Sequence, residues 1–193
     1  MAIDRPLADL VRDDSRTRRF GRVLGRVVDL PHIGRLAARV GRLPNQVPVL
    51  TPLITRVHAW FLRRSRGRLR RSWLFAAGQP VISLTTTGRR TGQPRSTAVA
   101  CFVAGDDLVV AGMNLGRTRH PAWALNLQAD PHASIVVRGL AVPVRARPAA
   151  GAERDRLWRR WLELQPSADA FREISEREIP LFVLTRDRDD QRA

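Results

Sequence analysis

Lysine and tyrosine are absent from this 193-residue chain, and cysteine occurs once. Without a second thiol, Cys101 cannot form an internal disulfide. It has no His or Cys neighbour at metal-ligand spacing and lies in an apolar stretch, so it reads as a small buried hydrophobe. No apolar run approaches the roughly 18 residues that a membrane span requires. The opening MAIDRPLADLVRDD is too acidic and too interrupted for a signal peptide, and the expected location is the cytoplasm. The usual catalytic signatures are missing as well: there is no GxGxxG after a strand, no GxSxG elbow, no HExxH and no cysteine pair for zinc. The histidines (His32, His58, His120 and His132) are scattered and read as structural, with His120, at the head of an HPAW segment, the exception. An enzyme with this inventory borrows its reactive group from a cofactor, while the protein supplies binding and orientation.

What is present is arginine. Every one of the 34 basic residues is Arg, against 18 acidic residues, for a net charge of +16. Such a balance attracts polyanions, anionic lipid surfaces or phosphorylated ligands. The charge is uneven: residues 1 to 78 hold 17 Arg and five Asp, or +12, leaving only +4 for the remainder. A hydrophobic content of 44% at ordinary single-domain length provides a core and excludes a disordered or fibrous chain.

The +12 segment reads as helical. Phe20, Val23, Leu24, Val27 and Val28 recur at helical spacing with Arg18, Arg19, Arg22 and Arg26 largely opposite. The Pro-rich LPNQVPVLTP (43 to 52) interrupts this pattern, and a second basic, apolar helix is expected from about Leu53 to Phe75. These helices either clamp an anionic membrane surface or pack on the rest of the protein with solvated arginines. Nucleic acid is the weaker partner, because no recognised motif is present and few aromatics interleave with the basic runs.

From Gln79 the texture becomes strand-like: VISLTTT (81 to 87), RSTAVACFVA (95 to 104), DLVVAGM (107 to 113), HASIVVR (132 to 138), LAVPVRAR (140 to 147) and a closing IPLFVLT. The connectors GRRTGQP, AGDD and RG suit hairpin loops and predict an antiparallel meander, with Pro143 at an edge or a bulge. A short helix is expected in HPAWALNLQAD. A longer one, from about Ala152 to Leu164, is expected to carry an i,i+4 pair between Asp155 and Arg159. The fold class is therefore α+β: an antiparallel split β-barrel with helical insertions and an N-terminal basic helical extension. Its divisions are 1 to 78 (extension), 79 to 186 (barrel) and 187 to 193 (charged tail).

The strongest local signal is TTTGRRTGQPR, residues 85 to 95. Arg89, Arg90 and Arg95 surround a Gly-bounded turn where backbone N–H groups, a Thr hydroxyl and guanidinium forks can converge on phosphate or carboxylate oxygens. Taken alone, it is equally a hairpin with solvated arginines.

Together, LTTTGRRTGQPR, VVAGMN, HPAWALNLQADP and EREIPLFVL follow the order and spacing of the deazaflavin-dependent nitroreductases, which the chain resembles over roughly residues 79 to 186. The resemblance implies a barrel that holds coenzyme F-420, an 8-hydroxy-5-deazaflavin, with its phosphate and oligoglutamate tail toward the Arg-rich turn. Carried over by position, Arg89, Arg90, Thr91 and Arg95 would bind the tail, and the backbone of Ser96, Thr97 and Ala98 would continue that wall. Ala111, Gly112, Met113 and Asn114, with Ala122, Trp123 and Asn126, would flank the ring system. Members that activate nitroimidazoles line the acceptor side with tyrosines, whereas Ala100, Gln165, Ala168 and Phe171 stand at the aligned positions here. The expected activity is hydride transfer from the reduced coenzyme to a small-molecule acceptor, quinone-like or otherwise conjugated, with no dedicated protein base and no metal. The competing readings are a non-catalytic barrel docked on a membrane or nucleic acid, and a split barrel using FMN or haem. If the basic helices meet lipid, the protein sits peripherally at the inner face of the cell membrane.

Overall fold

A computed structural model describes residues 6–11, 79–137, 139–165 and 168–187. The expected helices around Val23–Val28 and Leu53–Phe75, the Pro-rich stretch between them, and the tail beyond 187 lie outside the described residues. In chain order the elements are α1 (Leu7–Val11), β1 (Val81–Thr87), β2 (Pro94–Ala104), β3 (Asp107–Ala111), a 3-10 turn (Asn114–Gly116), α2 (Ala122–Ala129), β4 (His132–Val137), β5 (Leu140–Pro148), α3 (Gly151–Leu164), α4 (Ala168–Ser175) and β6 (Leu181–Arg186).

The strands close into a six-stranded barrel in the order β1-β2-β3-β6-β5-β4, and every neighbouring pair is antiparallel. The meander expected from the connectors is therefore interrupted. After β3 the chain leaves through the 3-10 turn and α2, and β4 returns beside β1, not beside β3. Alternation along the strands sorts side chains into two cores. Inside the barrel, Leu84, Cys101, Leu108, Val110, Ile135, Val144, Phe182 and Leu184 form one cluster with Ala124 and Leu127 of α2. Outside it, Phe102, Val109, Leu181 and Val183 meet Trp158 and Trp161 of α3, Ala168 of α4 and Ile179. The β3 and β6 strands are thus buried on both faces, and they read as unbroken apolar runs. Burial pushes the Cys101 thiol up to about 12, which leaves it an inert packing group.

Four local outcomes refine the expectations. Helix α1 inserts Leu7 and Leu10 into the barrel core, and the Ala8 N–H donates to the Asp106 carbonyl at 3.2 Å, so this part of the 1–78 segment packs with the barrel. Strand β3 ends at Ala111, two residues before the expected Met113; Gly112 N–H still donates to Pro180 O at 2.9 Å in the β3–β6 register, but Pro180 has no N–H to return the bond. A β-carbon at Gly112 would lie 2.8 Å from Pro180 Cγ, so the close approach requires glycine. Pro143 pairs with Ser134 of β4 and lies one rung past the end of the β5–β6 ladder; its carbonyl accepts from Asp187 N–H at 3.1 Å. On α3, Asp155 contacts Arg154 at 3.8 Å, not Arg159 as its spacing suggested.

Candidate coenzyme groove

The barrel parts on one side of β2. Residues Pro94–Ala100 pair with β1, but β3 joins β2 only from Cys101 onward. The Cys101 N–H bonds to Pro80 O on the β1 side, so by strand alternation the backbone groups of Ser96 and Ala98 face the open side. Across this opening stands the segment where β3 peels away.

The β1–β2 hairpin crowns the opening. Its loop is closed by Gly88 N–H to Gln93 O at 2.9 Å, with Thr91 and Gly92 N–H both donating to Gly88 O at 3.0 and 2.7 Å. Gly88 has no room for a side chain, since a β-carbon there would meet Thr91 Oγ1 at 2.9 Å and Gln93 O at 3.0 Å. The turn exposes Arg89, Arg90, Thr91, Arg95 and Ser96. None of Arg89, Arg90 and Arg95 forms an ion pair among the described residues, whereas Arg147, Arg154, Arg160 and Arg172 each meet a carboxylate within 2.7 Å. The Thr91 hydroxyl accepts from Gln93 N–H at 3.4 Å, and Ser96 Oγ pairs with Thr85 Oγ1 at 2.8 Å. Thr97 and Ala98 are half-buried below them.

Helix α2 fixes this crown to the barrel. Asn126 is buried; its Nδ2 donates to Thr86 Oγ1 at 3.0 Å while its Oδ1 accepts from Arg89 N–H at 3.2 Å. Its amide therefore anchors the arginine turn. Trp123 is half-buried, its ring edge-to-face with Phe182 at 5.9 Å, and Ala122 is exposed at the helix start. Ala111, Met113 and Asn114 are half-buried where β3 departs, and Met113 packs against the outer core. Asn114 adopts a left-handed φ of 48° and closes the loop by donating from Nδ2 to Arg119 O at 2.8 Å. Of the aligned acceptor positions, Gln165 and Ala168 are buried, Ala100 and Phe171 are half-buried, and Gln165 Oε1 has no hydrogen-bond partner.

One residue of this region drew no role from the sequence. Arg177, between α4 and β6, directs its guanidinium at Gly112 O (2.9 Å), Met113 O (3.1 Å), Arg117 O (3.0 Å), Glu178 O (3.3 Å) and His120 Nδ1 (3.1 Å). Apart from its place in the EREIPLFVL motif, no sequence signal marked it. Desolvation, followed by the nearby Arg177 charge, holds His120 below the usual histidine range, and Glu178 opposes the shift.

A closed six-stranded antiparallel barrel, with β2 running past the end of β3 beneath three arginines left without carboxylate partners among the described residues, has the fold of a split-barrel protein. Residues 54–186 match the F420H(2)-dependent quinone reductase family, and the chain belongs to it. The match starts within the basic segment, upstream of residue 79. The chain is similar to an F420H(2)-dependent quinone reductase of Mycobacterium tuberculosis (strain H37Rv), at 31% identity over 136 residues, 69% of this chain and 90% of that protein. It is also similar to a solved F420-H2 dependent reductase, with a TM-score of 0.50 and 26% identity over 54% of this chain and 93% of the other. The family assigns the deazaflavin coenzyme expected from the motifs and an oxidoreductase activity on quinone-type acceptors. It does not favour FMN, haem or a non-catalytic barrel.

Proposed function

We propose that the opening beside β2 receives reduced F420, with Arg89, Arg90 and Arg95 clamping its phosphate and carboxylate tail, and that a quinone-like acceptor binds against the ring. The observation that carries this reading is the cluster of three guanidiniums, with no ion pair among the described residues, above an unpaired stretch of strand edge. Such donors fit a polyanionic tail, since Arg offers planar bidentate forks that stay charged. Thr91 lies in the same turn, and outward backbone groups of Ser96 and Ala98 extend the wall beside Thr97. Ala111, Gly112, Met113 and Asn114 border the ring from one side, and Ala122 and Trp123 from α2. Asn126 serves through its grip on Arg89. When bound, the coenzyme supplies a hydride from carbon 5 of its reduced ring. The chain's own residues hold donor and acceptor in register and exclude water, and no general base is required.

The acceptor side is apolar apart from Gln165, and without tyrosine it has no phenol to position a nitro group. Quinones are accordingly the preferred acceptors. Steady-state assays with F420H2 test this: a simple naphthoquinone should turn over faster than a nitroimidazole, and the reverse order would contradict the assignment.

The division into extension (1 to 78), barrel (79 to 186) and tail (187 to 193) is proposed with one amendment: α1 packs with the barrel. The +12 of residues 1 to 78 is proposed to bring the enzyme to an anionic bilayer that dissolves its acceptor, each Arg near the surface contributing about 1 kcal/mol. Among the described residues no helix is long and apolar enough to cross a membrane. Co-sedimentation of the full chain with anionic vesicles, lost on raising salt from 0.1 to 1 M as the Debye length falls from about 10 to about 3 Å, would support this. Failure to sediment at low salt would remove it.

A further inference from the structure

We propose that Arg177 is the positioning residue of the ring side of the groove, locking the segment after β3 in place and fixing His120 as a neutral imidazole that keeps its proton on Nε2. The first half follows from connectivity. Gly112 lies on the next rung of the β3–β6 register and donates to Pro180 O, but Pro180 has no N–H to return to the Gly112 carbonyl, and Met113 lies past the end of the ladder. One guanidinium supplies the missing donors, donating to both carbonyls from Nη2 and to Arg117 O from Nε. A fork with five donors in fixed geometry suits this task, whereas an ammonium offers three donors on a flexible stem.

The second half follows from donor chemistry. Arginine has no acceptor, so in the contact between Arg177 Nη1 and His120 Nδ1 at 3.1 Å the imidazole nitrogen must accept. A ring that accepts at Nδ1 is neutral and carries its proton on Nε2. The neighbouring charges are Arg177 and Glu178 from the α4–β6 connection, with Arg117 and Arg119 on the histidine's own loop; burial and the Arg177 charge oppose protonation more than Glu178 favours it. His120 thus offers a permanent hydrogen-bond donor, suited to a carbonyl or anionic oxygen, and it does not act as an acid. Held at the head of α2, it stands beside Pro121 and Ala122, at the start of the helix assigned to the ring.

This inference rests on the reading of Ala111 to Asn114 as a wall for F420, and its test separates the two. Long-range 15N–1H spectra of the full chain, with His120→Gln used only to assign the ring, should show His120 with Nε2 protonated and Nδ1 bare, titrating below 6.5. A proton on Nδ1, or titration at 6.5 or above, overturns the tautomer claim without involving the coenzyme. In Arg177→Gln the ring should lose its fixed tautomer and titrate closer to 6.5, and F420 should bind about tenfold or more weakly, while binding of free inorganic phosphate at the arginine turn should change little. If that variant does not fold, Arg177→Lys carries the same comparison, because it keeps the charge and cannot reach all five acceptors. An unchanged F420 dissociation constant in either folded variant overturns the positioning role. Failure of the unaltered protein to bind F420 overturns the groove assignment, and with it the claim that Arg177 positions a coenzyme wall; the spectrum still decides the tautomer.

Discussion

Arginines on the two sides of this barrel meet opposite fates. Along α3, α4 and the adjoining end of β5 four are neutralised: Arg147 grips Glu153 with two contacts of 2.6 and 2.7 Å, Arg154 meets Glu178 at 2.5 Å, Arg160 meets Glu163 at 2.6 Å and Arg172 meets Asp169 at 2.7 Å. At the β1–β2 turn, Arg89, Arg90 and Arg95 are exposed and have no carboxylate partner among the described residues. Composition cannot separate these groups, since all are the same residue in a chain with no lysine. Placement does: the four paired arginines have acids at short spacing on a helix or across a helix–strand seam, whereas Arg89, Arg90 and Arg95 sit together on the turn beside the stretch of β2 that β3 leaves unpaired. Exposed pairs such as those on α3 contribute about 0–1 kcal/mol each. Arginines left free can engage a polyanion with charge-assisted bonds of about 1.5–3 kcal/mol each.

Removing charge on the two sides should therefore have unequal results. Replacing Arg89 and Arg95 together by Ala should weaken F420 binding by about 3–6 kcal/mol if both contacts are lost, measured by absorbance titration, with little change in melting temperature. Gly88→Ala attacks the same turn through its backbone: the added methyl, 2.9 Å from Thr91 Oγ1, should destabilise the protein by about 1–3 kcal/mol in denaturant unfolding and also weaken the coenzyme. Asn126→Ala leaves Thr86 and the Arg89 N–H without their buried partner, and a loss of about 1–3 kcal/mol is expected.

Acid should have a milder effect. The folded-state pKa of His120 lies below its ordinary 6.5, so the unfolded chain binds more protons in the interval between the two values. Stability from this group is complete above 6.5 and declines as pH falls through that window. His120→Gln should flatten that part of a stability–pH profile. Smallest of all is Glu153→Gln, which breaks the Arg147 pair; about 0–1 kcal/mol of stability should be lost, and F420 affinity should not move.

Legibility in the sequence followed the range of the interactions. Strands β1 and β2 matched their expected bounds to within a residue, because alternation and turn chemistry are local signals. The inner and outer cores of β3 and β6 appeared only as apolar runs, which cannot say what covers each face. Helix α1 is too short for a periodic pattern, and only the barrel beneath Leu7 and Leu10 gives it a role. Helix α4, which carries Ala168 and Phe171, is not among the helices that the sequence pattern predicts. The arginine turn was visible as a cluster, yet its freedom from carboxylates required the fold. Beyond its place in a motif, nothing local marks Arg177, because its acceptors at Gly112, Met113, Arg117 and His120 lie 57 to 65 residues away. The anchoring role of Asn126 is equally invisible locally: its partners Thr86 and Arg89 are 40 and 37 residues distant.

The central claim, that the unpaired arginines exist to hold a polyanionic deazaflavin, is tested most directly by titrating F420 into the unaltered protein, Arg95→Ala and Arg160→Ala under identical salt. Tight binding by the first, a loss of about tenfold or more in the second and no change in the third is the predicted result. Equal affinities for the unaltered protein and Arg95→Ala, or equal losses in Arg95→Ala and Arg160→Ala, would contradict it.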